Sequence, residues 1–406
     1  MICSRLSRRR VWSKIIGNVA WLGIIATLAV LIPNAARPDP YNDAANGRLD
    51  SVTDVPSQVR ASFKRAEPGE PNKNGDTDFV VVPIPRSDPT LGTGLMLAAA
   101  YFYKLDDTSQ PSLTGVGAFA TSNGSRGWGI GQSTRFGNDR FRLSAAFGQV
   151  DLKYDFFGIG SDIASRGLSV PIEQSGYLVA ARGAAEVWNN VFPGLKIRHV
   201  ASKVTLENPI QILGGLAIPA LELDIESTVI GPTLEWDKRD DRFAPRSGHN
   251  LYAEYLFSVA EQVQSFDFEK FNIGLDYFVP VLEKDVVAFR ASACGLFGRG
   301  PFFEICSLGS QDAFRGYPTG QFRDHALISA QAEYRGRIDD NWGYVVFGGA
   351  GSVARSFGAI ADERVLPAGG IGARYRVSEK FGVDLSVDVS FARDNESIYM
   401  YVGQSF

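Results

Sequence analysis

From Phe79 onward the chain alternates apolar with polar or small side chains, in segments of about 10 to 14 residues without helical periodicity. The clearest run sets Val383, Leu385, Val387, Val389 and Phe391 against Asp384, Ser386, Asp388 and Ser390. A period of two puts the two sets on opposite faces of one strand. Leu251, Ala253, Tyr255 and Phe257 against Asn250, Tyr252 and Glu254 repeat it. So do Ile328, Ala330, Ala332 and Tyr334 against Ser329, Gln331, Glu333 and Arg335, and the set Phe141, Leu143, Ala145 and Phe147. A soluble sandwich turns the polar face to water; a membrane barrel turns the apolar face to lipid and lines its lumen with the polar one. Alternation alone does not choose. Strand length, aromatic strand ends and an export-like start favour an all-β, antiparallel up-and-down transmembrane barrel.

Eight strands are predicted after about residue 245, near 247–258, 267–280, 286–297, 325–336, 343–354, 364–376, 381–393 and 398–406. Short connections (Glu283-Lys284, Ser378-Glu379) alternate with long ones, as periplasmic turns and outer loops do. If the last strand ends in the periplasm, the turn at 237–246 is periplasmic too and eight strands should precede it. Seven are evident, near 92–104, 112–121, 127–136, 139–151, 175–188, 194–205 and 219–236. The eighth falls at Phe79–Pro85 or within 152–174, giving about 16 strands in all. Up-and-down closure then leaves no unpaired edge in lipid.

Composition adjusts this picture modestly. Apolar residues make up 45% of the 406 and charged ones 21%, which disfavours a helical membrane bundle. The 43 glycines and 12% aromatics suit curved sheet with interfacial rings. Residues 1–36 read as an export signal: a basic region through Lys14, an apolar run Ile15–Ile32, then Pro33-Asn34-Ala35-Ala36. A retained anchor helix is the competing reading. Losing the five basic residues of this segment takes the formal charge from −4 to about −9, and nucleic acid is not an expected partner. Residues 37–77, rich in Pro, Asn, Asp and Gly, read as a disordered linker, and 78–406 as the barrel. Cys3 lies in the signal; Cys294 and Cys306 form either a disulfide or two inert thiols.

Four stretches stand out. They are Pro83-Ile84-Pro85 with Pro89-Thr90-Leu91-Gly92-Thr93-Gly94-Leu95; Tyr154-Asp155-Phe156-Phe157-Gly158-Ile159-Gly160; Trp236-Asp237-Lys238-Arg239-Asp240 with Pro245-Arg246-Ser247-Gly248; and Leu308-Gly309-Ser310 with Phe314-Arg315-Gly316-Tyr317. In order and spacing the third and fourth resemble the bacterial surface antigen family, the barrel superfamily of the BamA and TamA assembly factors and the two-partner secretion transporters. The likeness covers about residues 79–406. The first two stretches look most like its branch without periplasmic polypeptide-transport-associated domains. The resemblance implies that Phe314, Arg315, Gly316 and Tyr317 tip a long outer loop folded back into the lumen. Arg315 would there make paired bonds to carboxylates, and Gly316 would turn where a side chain does not fit.

The sequence also departs from the pattern. Assembly-factor barrels carry a lumenal aspartate in a Phe-x-Asp-x-Gly stretch; here it reads Phe347-Gly348-Gly349-Ala350-Gly351. Glu333, on the predicted inward face, is the expected partner of Arg315 instead. The short linker cannot supply a transport-associated domain, so client capture by one would fall to a separate periplasmic protein. Asp237, Arg239, Asp240, Pro245 and Gly248 are expected to make a charge-paired periplasmic turn that sets register. Met400, Val402 and Phe406 resemble the signal that delivers barrels to the assembly machinery, with the three on one face of an edge strand; Tyr401 stands where a glycine is usual.

Hydrolase chemistry is not expected. The histidines are His199, His249 and His325, no Gly-x-Ser-x-Gly elbow occurs, and metal-ligand spacings are lacking, so no cofactor or metal is expected. Three functions remain in order: an outer-membrane barrel for protein or lipid insertion or translocation, a plain pore or structural antigen, and a barrel hydrolase. The expected surroundings are outer-membrane lipid and, during biogenesis, the assembly machinery.

Overall fold

The computed structural model describes residues 77–88, 92–160, 169–206, 210–212, 216–218, 221–259, 266–309, 314–317, 320–393 and 395–406. The signal and nearly all of the linker read from sequence lie outside the described residues. The first half of the wall is β1 (Thr77–Asp88), β2 (Gly92–Tyr103), β3 (Ser112–Thr121), β4 (Arg126–Phe136), β5 (Phe141–Phe156), β6 (Val170–Ala185) and β7 (Val191–Leu206). An outer hairpin follows, β8 (Ile210–Ile212) with β9 (Leu216–Ile218), and then β10 (Leu221–Asp237). The wall continues with β11 (Gly248–Val259), β12 (Asp267–Pro280) and β13 (Val286–Arg299). Two short strands, β14 (Cys306–Ser307) and β15 (Arg323–Asp324), belong to the loop after β13. The last wall strands are β16 (Ala326–Arg337), β17 (Trp342–Ala354), β18 (Leu366–Ser378), β19 (Val383–Ala392) and β20 (Asn395–Val402). Sixteen of these form one antiparallel sheet, each strand paired with the next along the chain.

The strand that the sequence leaves unplaced is β1, and the linker stops one residue earlier than predicted, because Thr77 already pairs with Tyr103. Over most of the wall the apolar set faces outward: Leu97, Trp128, Leu143, Ile273, Phe289 and Val346 are exposed, as lipid-facing side chains are in a transmembrane barrel. Two sectors depart from this. In the upper parts of β5 and β6 the polarity inverts: Asp151, Lys153 and Glu173 lie on the outer face, while Leu152, Tyr154 and Ile172 are buried inside. Both strands therefore run longer than predicted, and the second motif's Tyr154-Asp155-Phe156 ends β5. On β1 and β2 both faces are apolar, with Val80, Val82, Ile84, Met96, Ala98 and Ala100 buried on the inner side.

This double-faced sector accounts for the closure. Among the described residues no ladder joins β1 to β20, the two ends of the sheet. Instead the inner faces of β1 and β2 overlap the outer faces of the lower parts of β19 and β20. Val383 and Leu385 have outward parity, opposite to Asp384 and Ser386, yet they are buried in one cluster with Val80, Val82 and Ile84, and Met400 and Val402 pack against it. The Ser378 hydroxyl donates to Asp78, and Lys380 Nζ lies 3.5 Å from the Thr77 carbonyl. The barrel is nearly closed, by overlap rather than by backbone pairing.

Candidate functional site

The long loop between β13 and β16 enters the lumen and is fixed on both sides. Near its start, Cys306 is joined to Cys294 on β13 by a disulfide, with Cα atoms 5.8 Å apart. Buried Glu304 accepts from Arg198 on β7 and lies 3.5 Å from Lys270 Nζ on β12. At its tip Arg315, itself buried, meets Glu333 on β16 and Asp388 on β19, at 2.5 Å each. Its guanidinium lies 3.6 Å over the Phe347 ring on β17, and Nε donates to Gln331 at 3.3 Å. Asp388 is shared with Arg374 of β18 and the Tyr401 hydroxyl of β20, both at 2.5 Å; Glu333 is shared with Arg335. An ion cluster of this kind holds position strongly, since removing one member strands the others in a low-dielectric interior.

The rest of the tip follows from local sterics. Gly316 sits at φ +136°, and a Cβ there would lie 2.2 Å from the Ala368 Cβ, so the turn accepts no side chain. Its N–H donates to the Tyr399 hydroxyl at 3.0 Å, and Tyr317 Oη donates to the Pro367 carbonyl at 2.9 Å. Phe314 and Tyr317 are buried with Leu308, Phe322, Val353 and Leu366. Glu333 is thus the partner that the alternation predicts for Arg315. Asp388 is a second one that the sequence does not single out, although it stands in the clearest alternating run. Glu304 carries no sequence signal at all.

The turn after β10 does more than set register. Asp237 takes both Arg239 Nε (2.8 Å) and Nη2 (3.0 Å), and Arg142 approaches it at 3.3 Å. Asp240 Oδ1 accepts the N–H groups of Arg246 (2.9 Å) and Ser247 (3.1 Å), while Asp241 Oδ1 accepts those of Phe243 and Ala244. Pro245 is buried, and Gly248, at φ +95°, would with a Cβ meet the Lys238 carbonyl at 2.0 Å. Wound this tightly, the turn reaches inward across the lower mouth. Phe243 meets Phe102 of β2 edge-on at 5.2 Å, and Phe102 stacks on Phe381 of the β18–β19 turn. Arg242 donates to the Pro111 carbonyl and to Ser133 Oγ, each at 2.8 Å.

The C-terminus corrects a prediction. Strand β20 ends at Val402, Gly403 adopts φ +96°, and the last residues leave the ladder. Phe406 therefore does not share a face with Met400 and Val402. It crosses beneath the strand into the lumen, against Phe278, Val286 and Ala288. Arg335 Nη2 donates to its carbonyl at 2.7 Å, and Arg290 lies 4.9 Å over its ring. The three histidines lie on separate elements: His199 Nδ1 is 2.8 Å from Thr228 Oγ1, His249 packs edge-on against Trp236, and His325 Nδ1 is 3.1 Å from Asp324.

Residues 222–392 match the Omp85 superfamily domain. No curated protein matches the chain. Among solved structures it is similar to CdiB from Escherichia coli, with 12% identity and a TM-score of 0.51 over 93% of this chain and 73% of that one. It is also similar to CdiB from Acinetobacter baumannii (12%, 0.50, covering 80% of this chain and 59% of that one). BamA from Haemophilus ducreyi lacking POTRA domains 1–3 gives 13% and 0.49, over 86% and 77%. The chain thus spans less than two thirds of the Acinetobacter protein. At these identities the likeness to solved structures is one of fold.

Proposed function

We propose that this chain, whose residues 222–392 match the Omp85 superfamily domain, is an outer-membrane barrel that handles clients at its wall while its lumen is held shut by the loop between β13 and β16. The observation that carries this reading is the double anchoring of that loop. Glu304 is held from β7 and β12, and Arg315 from β16 and β19, so the segment is tied to four separate strands of the wall. A plain pore has no use for a buried ion cluster across its path, because desolvating those charges costs several kcal/mol per ion, on the order estimated for buried pairs. The overlapped seam is the natural place of work, since its two edges are not committed to each other by backbone hydrogen bonds. A separate periplasmic protein would deliver the client in this scheme.

Conductance tests it. In planar bilayers the wild-type chain is expected to pass little current, and Arg315→Ala to open stepwise, larger conductances. That substitution leaves Glu333 and Asp388 without their shared cation, a loss of about 3–5 kcal/mol by analogy with other broken buried pairs. A large, steady wild-type pore that Arg315→Ala does not alter would show a simple channel instead.

A further inference from the structure

The seam edge of β1 is chemically unusual. In an antiparallel pair, the N–H and C=O of alternate residues turn to the same neighbour. Two contacts identify which set faces away from β2: the Phe79 N–H donates to its neighbour Asp78 Oδ1 at 2.9 Å, and the Thr77 carbonyl lies 3.5 Å from Lys380 Nζ across the seam. Positions 77, 79, 81, 83, 85 and 87 therefore face the seam. Two of them, Pro83 and Pro85, have no N–H, while the register with β2 runs unbroken through both, as Pro83 with Leu97 and Pro85 with Leu95. Between Phe79 and Pro85, Val81 alone keeps a donor that neither a proline ring nor the Asp78 side chain takes, with Thr77 and Ser87 supplying donors only at the two ends of the strand. Strand addition depends on alternating donors and acceptors along the edge, and proline is a known way of blunting one.

What lies beside that edge is apolar on both sides. Phe79 and Val81 face lipid, and Val80, Val82, Ile84, Met96, Ala98 and Ala100 line the inner face, covered at present by Val383, Leu385, Met400 and Val402. At the foot of this surface stands the buried guanidinium of Arg242, 5.3 Å from the centre of the Phe243 ring. Both its hydrogen-bond acceptors are neutral, and among the described residues no carboxylate lies within ion-pair distance. A lipid-facing outer side, an apolar slot behind the seam and a cation at its periplasmic foot fit an amphiphile with a negative head.

Resting on the client-handling reading above, we infer that the seam admits the acyl chain of a phosphate-bearing lipid, with the phosphate at Arg242, and does not template a polypeptide strand. The test uses the full chain refolded into vesicles of phosphatidylcholine and phosphatidylglycerol that carry fluorescent phosphatidylglycerol. Transbilayer movement is read by dithionite quenching. The wild type is expected to speed movement by roughly tenfold or more over protein-free vesicles, equivalent to about 1.4 kcal/mol of barrier. Ala98→Trp, which fills the slot, should abolish the acceleration; Arg242→Gln should reduce it; Leu97→Trp, on the lipid face of the same strand, should retain it. Any other pattern overturns the slot. In parallel, a photo-reactive phenylalanine at position 81 is offered the peptide of residues 395–406 as a strand probe. Capture by the Pro83→Val/Pro85→Val variant and not by the chain with both prolines is the expected result. Capture with both prolines present, or by neither, overturns the role assigned to them. None of these readouts depends on Arg315, so failure here and failure of the lumenal plug fall on different measurements.

Discussion

Arg315 meets its acids from two strands that are not neighbours, Glu333 on β16 and Asp388 on β19, with Phe347 of β17 beneath it. This explains how the pattern can lose its usual aspartate. At that position Gly349 packs so closely that a Cβ would lie 2.2 Å from the Ala330 carbonyl, and the charge is supplied from β16 and β19 instead. Glu333 was legible because a single acid on an inward face stands out. Asp388 was equally visible as a residue, but parity reveals a face and not what comes to meet it. Glu304 lies in a loop with no period, where only the fold brings it to Arg198 and Lys270. The sharpest prediction at this scale concerns Gly316. Its φ of +136° and the 2.2 Å approach to Ala368 mean that Gly316→Ala must move the tip, at about 1–3 kcal/mol for the backbone alone. Bilayer recordings should then show frequent brief openings with every charged partner still present. A silent Gly316→Ala channel would mean that the tip tolerates displacement.

Strands were readable wherever one face met lipid and the other the lumen, and unreadable where that rule changed. On β5 and β6 the alternation inverts above the apolar belt, so the sequence signal fades while the ladder continues to Phe156. Strand β1 has no alternation at all, and its prolines argue against a strand unless it lies at an edge, which it does. The loop between β13 and β16 is an element in its own right, with a hairpin (β14–β15) and a covalent tie. The bond between Cys294 and Cys306 closes a loop of 12 residues, worth about 3 kcal/mol in the chain-entropy account. Reduction, or Cys294→Ser with Cys306→Ser, should leave the wall intact and expose Gly300–Phe303 to protease from the outer side. Mass spectrometry of the fragments checks this. Unchanged protection after reduction would leave Glu304 as a sufficient anchor.

For the molecule as a whole, both ends of the sheet are managed by packing and not by a ladder, and the C-terminus takes part in that. The sequence suggests an assembly signal for the terminal aromatic but not its lumenal environment, because Gly403 at φ +96° turns the last residues inward where a strand pattern would continue them. In the finished barrel the Phe406 ring lies among Phe278, Val286 and Ala288, with Arg290 and Arg335 over it. The two roles can be separated. Phe406→Ala removes a buried ring, typically a loss of about 3–5 kcal/mol, together with its cation–π contacts. If the residue served delivery alone, a chain refolded from urea into detergent, with no assembly machinery present, would not register its loss. The lumenal packing predicts otherwise. Refolded Phe406→Ala should convert from the compact to the extended gel form at clearly lower urea than the wild type. Phe406→Leu, which keeps an apolar side chain but no π face, should fall between them. Equal midpoints for all three would assign Phe406 to biogenesis only, and would mean that β19 and β20 hold their tucked position through Val383 and Leu385 without help from the terminus.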